Sequence, residues 1–287
     1  MGWRWCWREV EMDTIRIWKE EMLFEDRKAA GRSLATFLSQ RGVLCTALLG
    51  ISRGGMPVAL EVARALDVRV DIVVVKKLRA PAHPDVAIGA VCPDSTRVLR
   101  PRIISALNVS DEYVAAETDA RLAEAIAMER MYRSRRGPLD VAGTSVLIVD
   151  DCLVTGATME AAVRSVRLRG ACSIVAAAPV GCRHACLDLR RVADDVFCIR
   201  TQGSIRAAGH FYLRFPSVTD AEVCHLLDES RKVLSRRQRV HAWAEQGPGV
   251  SAMFRQESGV VSYDEADQAA GGPDKPAKPP PTIVLSR

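Results

Sequence analysis

Val146-Leu-Ile-Val-Asp-Asp-Cys-Leu-Val-Thr-Gly-Ala-Thr158 is the stretch whose reading decides the fold. Four apolar residues, Val146 to Val149, have the continuous hydrophobicity of a strand buried on both faces, as in a parallel sheet. Asp150 and Asp151 stand at its carboxyl end, where open α/β sheets bind their ligands. A turn of small and hydroxyl residues follows, Thr155-Gly156-Ala157-Thr158, and an apolar helical pattern opens directly behind it with Met159, Ala162, Val163 and Val166. Such a turn presents free backbone N–H groups and the positive end of a helix dipole to a phosphate. Two carboxylates can accept hydrogen bonds from a vicinal diol. A diol clamp beside a phosphate cradle suits a ribose 5-phosphate. An ordinary strand–turn–helix whose Asp and Thr only cap the helix is the blander reading. Adjacent acids at a buried strand end are costly without a ligand or partner, which argues against it.

The commoner nucleotide loops are absent: no G-x-x-x-x-G-K-[ST] is present, and no G-x-G-x-x-G follows a strand. The order strand, two acids, variable residues, T-G-x-T resembles instead the PRPP-binding signature of type I phosphoribosyltransferases. Cys152 and Val154 depart from that pattern, where smaller or aliphatic residues are usual. Neither removes a phosphate or diol contact.

Three further segments extend the resemblance over about residues 24 to 235. Gly50-Ile-Ser-Arg-Gly-Gly55 follows an apolar strand at 46–51. Its glycines let backbone approach an anion, and Arg53 offers a fork of donors. It resembles the family's pyrophosphate loop, which implies ligand contacts from Arg53, Gly54 and Gly55. Val75-Lys-Lys-Leu-Arg-Ala-Pro-Ala-His-Pro-Asp85, continued by Ala87, Gly89 and Ala90, resembles a little-characterised bacterial branch. The resemblance implies a pyrophosphate ligand at Lys77, with Lys76 beside it, and a flexible loop closing over PRPP in this part of the chain. His83 reads as a solvated loop histidine. In the third segment Gly209, Tyr212, Phe215, Val218, Asp220 and Glu222 agree with the branch, while Gln202, Ile205 and Arg214 depart from it where an acceptor would be recognised.

The resemblance implies an α/β fold of the type I phosphoribosyltransferase kind. A central, mostly parallel sheet would be flanked by helices, with a flexible loop and a small C-terminal hood. It implies a Mg²⁺-dependent phosphoribosyltransferase, a pentosyltransferase moving the 5-phosphoribosyl group of PRPP to an unidentified acceptor such as a nucleobase, with release of pyrophosphate. Asp150, Asp151 and Lys77 would be catalytic. Thr155, Gly156, Ala157 and Thr158 would cradle the phosphate, and Asp150 with Asp151 would hold the metal. The alternative is a catalytically silent PRPP- or nucleotide-sensing regulator. Retention of Arg53, Lys77 and both acids favours the enzyme.

Strands alternate with helices elsewhere, as a parallel sheet requires. Helices are expected over 24–40, from Pro57 to Leu66, over 111–135, 183–191 and 219–235. Strands are expected at 72–75, 174–178 and 195–199. Residues 78–108, with four prolines and short β-like pieces, read as a long loop or hairpin, and 200–217 as irregular. The domain is placed at 23–238. Residues 1–22 interleave Trp and Arg without a continuous apolar stretch and read as an irregular leader or peripheral helix, not a signal peptide. Residues 239–287, ending in Gly271-Gly-Pro-Asp-Lys-Pro-Ala-Lys-Pro-Pro-Pro281, read as a disordered tail.

The chain has 287 residues, 48% hydrophobic and 26% charged, with a net charge of +5, which is ordinary for a globular protein and too mild to demand nucleic acid. No apolar run is long enough for a membrane span. Nine scattered cysteines point to a reducing, cytoplasmic setting. Cys182-Arg-His-Ala-Cys186 lacks the second ligand pair of a zinc site and reads as side chains on an ordinary helix. PRPP and a small acceptor are the expected partners, with neither nucleic acid nor membrane, and a homodimer among the expected assemblies.

Overall fold

The computed structural model describes residues 23–134 and 137–230, all within one compact unit, Met1–Ser235. The leader and tail expectations, and the last turn of the 219–235 helix, lie outside the described residues. The main sheet holds five parallel strands. They are β1 (Ala47–Ile51), β2 (Arg69–Val73), β6 (Ser145–Val149), β7 (Ser173–Cys182) and β8 (Asp195–Gln202), in the order β2-β1-β6-β7-β8. Every residue of β1 is buried, as the apolar run at 46–51 requires. β7 and β8 are longer than their apolar cores suggest, and β8 continues into residues expected to be irregular.

Helices cover both faces. On one, α5 (Ala157–Leu168) buries Met159, Ala162, Val163 and Val166 against Val146, Ile148 and Ile174. On the other, α1 (Arg27–Gln40) and α2 (Gly55–Leu66) pack with Leu48, Leu147, Val149 and the helix at 220–230. Asp26 caps α1, its carboxylate accepting the Ala29 N–H at 2.8 Å. The two helices approach closely at Gly31, where a Cβ would stand 2.8 Å from the Val58 carbonyl oxygen.

Residues 78–108 hold the short β-like pieces and the hairpin alternative of the sequence reading, organised as a sheet of their own. β3 (Lys76–Arg79), β4 (Ala87–Val91) and β5 (Arg97–Leu99) form a second, antiparallel sheet, followed by α3 (Pro101–Ala106). Lys76 and Lys77 therefore open β3 rather than close β2. Residues 80–86 connect β3 to β4, and 92–96 connect β4 to β5. β4 is buried throughout, and a Cβ on Gly89 would stand 2.4 Å from the Val98 carbonyl oxygen, so glycine sets the strand spacing. Ile88 and Leu78 pack with Val114 of α4 (Asp111–Arg133).

A buried ion pair ties α4, which packs on the second sheet, to the edge of the main one. Asp71 of β2, 5% exposed, receives Arg133 Nη1 on both carboxylate oxygens at 2.7 Å. It also accepts the Leu139 N–H at 2.7 Å, and Arg133 Nη2 donates to the Ile72 carbonyl at 3.0 Å. No helix among the described residues is long and apolar enough to cross a membrane. Asp71→Ala strands a buried guanidinium, so it should destabilise the fold by about 3–5 kcal/mol in denaturant titration. The double variant Asp71→Ala/Arg133→Met should recover part of that loss.

Candidate active site

The carboxyl ends of β1 and β6 meet the turn that opens α5, and the acids stand between them. Asp150 is buried, and one of its oxygens accepts the Asp151 N–H at 2.9 Å. Burial, and then the neighbouring Asp151 charge, push its carboxyl up to about 8; Lys77 and Arg27 offset part of the rise. Asp151 is held differently. Arg27 Nε donates to its Oδ2 at 2.8 Å, and Tyr212 Oη donates to its backbone carbonyl at 2.7 Å. Adjacent acids thus have unlike surroundings, one desolvated and the other ion-paired.

The segment behind the acids is pinned by main chain. Leu153 N–H donates to the Val180 carbonyl at 2.9 Å, and the Cys182 N–H returns to the Leu153 carbonyl at 2.7 Å. Cys152 and Val154 flank that anchor and line the cleft. The chain then turns through Gly156, whose φ of 72° favours glycine, into α5. Thr155 Oγ1 accepts the Ala157 N–H at 3.4 Å, a weak bond that leaves the hydroxyl available to a ligand.

The cleft has two lobes. One, about 620 Å³, is lined by Arg53, Gly54, Lys76, Lys77, Asp150 and Asp151. The other, about 680 Å³, is lined by Thr155, Gly156 and Thr158 together with Ile205 and Arg206. Lys77, Asp150, Cys152, Val154 and Thr158 border both. Gly55 and Ala157 do not line it. Each is buried at the start of its helix, and a Cβ on Gly55 would stand 2.6 Å from the Val149 carbonyl oxygen. Gly54 is tighter still, a Cβ there falling 2.2 Å from Asp151 Oδ2.

The cations differ in how they are held. Arg53 faces Asp220 at 3.7 Å, and Asp220 also accepts the Tyr132 hydroxyl at 2.5 Å. Lys76 pairs with Glu124 at 2.9 Å. Lys77 is exposed, in register with Ala90 of β4. Among the described residues no group of three or more His, Cys, Asp and Glu could hold a metal ion. Cys186 lies on α6 (Arg183–Leu189), its sulfur 3.4 Å from that of Cys198.

Arg27 escapes motif reading altogether. It is 8% exposed, its guanidinium carbon lies 3.6 Å from the Phe215 ring centroid, and Nη1 donates to the Pro216 carbonyl at 2.6 Å. A signal was present: Arg27 precedes Ala30, Gly31 and Leu34 at helical spacing, a charge on the buried stripe. Phe24, Tyr212 and Phe215 complete the hood around it.

This cleft sits on a known kind of domain. The sequence profile of the phosphoribosyl transferase domain matches residues 23–215, and the chain belongs to that family. Two Mycobacterium tuberculosis proteins, "Putative phosphoribosyl transferase Rv0571c" of strain H37Rv and "Putative phosphoribosyl transferase MT0597" of strain CDC 1551, are each 34% identical over 223 residues, 78% of this chain. The chain spans about half the length of these curated relatives. The crystal structure of TT1426 from Thermus thermophilus is similar at 36% identity and a TM-score of 0.59, covering 72% of this chain and 99% of that one.

The Asp150 environment gives a stability prediction for the protein without ligand or divalent cation. Its folded carboxyl titrates near 8 against an ordinary 3.8. Below the lower value the group is protonated in both states and costs nothing. Between the two values only the folded chain keeps the proton, so rising pH removes stability. Asp150→Asn should abolish that loss. The Tm advantage of the variant over the parent should widen from pH 5 to pH 8 in thermal melts with chelator.

Proposed function

We propose that the protein is a PRPP-dependent phosphoribosyltransferase that releases pyrophosphate as it transfers the phosphoribosyl group to an acceptor. The observation that carries this reading is the cleft itself. Asp150 and Asp151 open onto a space bordered by the Thr155–Thr158 turn on one side and by Arg53 and Lys77 on the other. A 5-phosphate would take the N–H groups and hydroxyls of that turn at the positive end of α5. The ribose diol would take the two carboxylates. The pyrophosphate would then face Arg53, Lys76 and Lys77.

Such a reaction asks little covalent work of the protein. Pyrophosphate leaves C1 as positive charge develops on the ribose, and the enzyme orients both ends and stabilises the departing charge. Arg53 and Lys77 would supply that stabilisation. The carboxylates would hold the diol so that C1 lies between the lobes. Mg²⁺ fits as a shared ion, since it takes one or two carboxylates with substrate phosphate oxygens and keeps several waters. Asp150 and Asp151 would hold it, and it would neutralise pyrophosphate charge.

The test is to incubate the protein with PRPP, Mg²⁺ and a panel of bases and other small acceptors while following pyrophosphate. Acceptor-dependent release is expected. Lys77→Ala should lower turnover by about 10²-fold, as removal of a preorganised charge does, and should weaken ribose 5-phosphate binding by much less. Thr155→Ala should weaken PRPP binding by about 1–3 kcal/mol in calorimetry. PRPP binding without release for any acceptor would identify a sensor. Absence of PRPP binding would end both readings.

A further inference from the structure

We propose that Arg100 is a positioning residue for the 5-phosphate cradle, aiming a backbone donor of the turn from behind. The inference rests on the PRPP reading above. Arg100 follows β5 directly, and its own N–H donates to the Ile88 carbonyl of β4 at 2.8 Å, which fixes it to the second sheet. Its side chain crosses to the main sheet. Nε and Nη2 donate to the Thr155 carbonyl at 3.2 and 3.0 Å, and Nη1 donates to Glu160 Oε2 at 2.6 Å. Glu160 is itself held by Arg164, whose Nη2 donates to Oε1 at 2.8 Å.

The grip on that one oxygen has a directional effect. The carbonyl of Thr155 and the N–H of Gly156 belong to one planar trans peptide and point opposite ways. Fixing the carbonyl with two guanidinium donors therefore fixes the N–H on the other side. Thr155 and Gly156 line the cleft, and Arg100 does not. Gly156 needs this support, since its φ of 72° is one of several conformations open to glycine. At that glycine Arg100 Nη2 lies 3.5 Å from where a Cβ would stand. Only a planar fork can take one carbonyl with two donors and still reach the Glu160 carboxylate.

The same geometry joins the two ends of the substrate site. Lys77 of β3 stands opposite Ala90 of β4, and Ala90 opposite Val98 of β5, two residues before Arg100. The sheet that carries the pyrophosphate-side lysine thus also carries the brace of the phosphate turn.

The experiment compares wild type, Arg100→Ala and Arg100→Lys for binding of ribose 5-phosphate and, separately, of inorganic pyrophosphate with Mg²⁺, by calorimetry, with Tm measured alongside. Arg100→Ala should lose about tenfold or more in ribose 5-phosphate affinity, the scale of one charge-assisted hydrogen bond. Its pyrophosphate affinity should stay within about twofold of wild type, a change under about 0.5 kcal/mol. Arg100→Lys, a single point donor, should fall between the two and carries the same comparison if the alanine variant does not fold. Equal ribose 5-phosphate affinity in wild type and variants overturns the proposal and leaves the PRPP reading standing. A parallel fall in both affinities with a lowered Tm also overturns it, because that is what loss of a purely structural ion pair produces. A wild-type protein that binds neither ligand removes the PRPP reading, and the proposal with it.

Discussion

Two carboxylates are seated against bare glycine backbone, and most of the site depends on that contact. Asp150 and Asp151 crown the central strand of a parallel sheet, where the neighbouring strand must turn into its helix within van der Waals reach. A side chain on Gly54 would collide with the Asp151 carboxylate, and one on Gly55 with the main chain beneath Asp150. The glycine pair therefore serves the acids as much as any anion. Once the acids are seated, their charge has to be met. Asp151 is met by Arg27, and Asp150 by burial that favours its protonated form. Arg27 in turn draws the hood down, through the Phe215 ring and the Pro216 carbonyl.

What could be read in the amino-acid order follows from how far apart the partners lie. Strand, acids, turn and helix occupy one short consecutive segment, so periodicity and residue chemistry suffice to find them. The flanking helices and the other parallel strands are legible for the same reason: each carries a sustained pattern of its own. Arg27 meets Asp151 across 124 positions, Arg100 meets Thr155 across 55, and Tyr212 meets Asp151 across 61. No local pattern encodes such pairs. Arg27 could still have been noticed as a charge on an apolar stripe. Arg100 sits in no periodic segment and leaves no comparable trace.

The second sheet is legible only as short β-like pieces and a hairpin. Its strands run four, five and three residues, too short for alternation to stand out against four nearby prolines. Its stability comes from tertiary burial instead, with Ile88 and Leu78 packed on Val114. The consequence for the site is that Lys76 and Lys77 stand on a hydrogen-bonded strand, with the 80–86 loop beyond them.

The main-chain anchor at Leu153 separates two tasks that proteins often entangle. Backbone atoms fasten this segment to β7, so that the anchor itself needs no particular side chain on either side of Leu153, although Cys152 also packs with Val180 of β7 and Val154 lies against the same cluster. Cys152 and Val154 nevertheless face the cavity. They form a lining on a mount held by main chain. The departures at both positions from the usual family pattern therefore alter the cavity wall without touching the main-chain bonds that hold it.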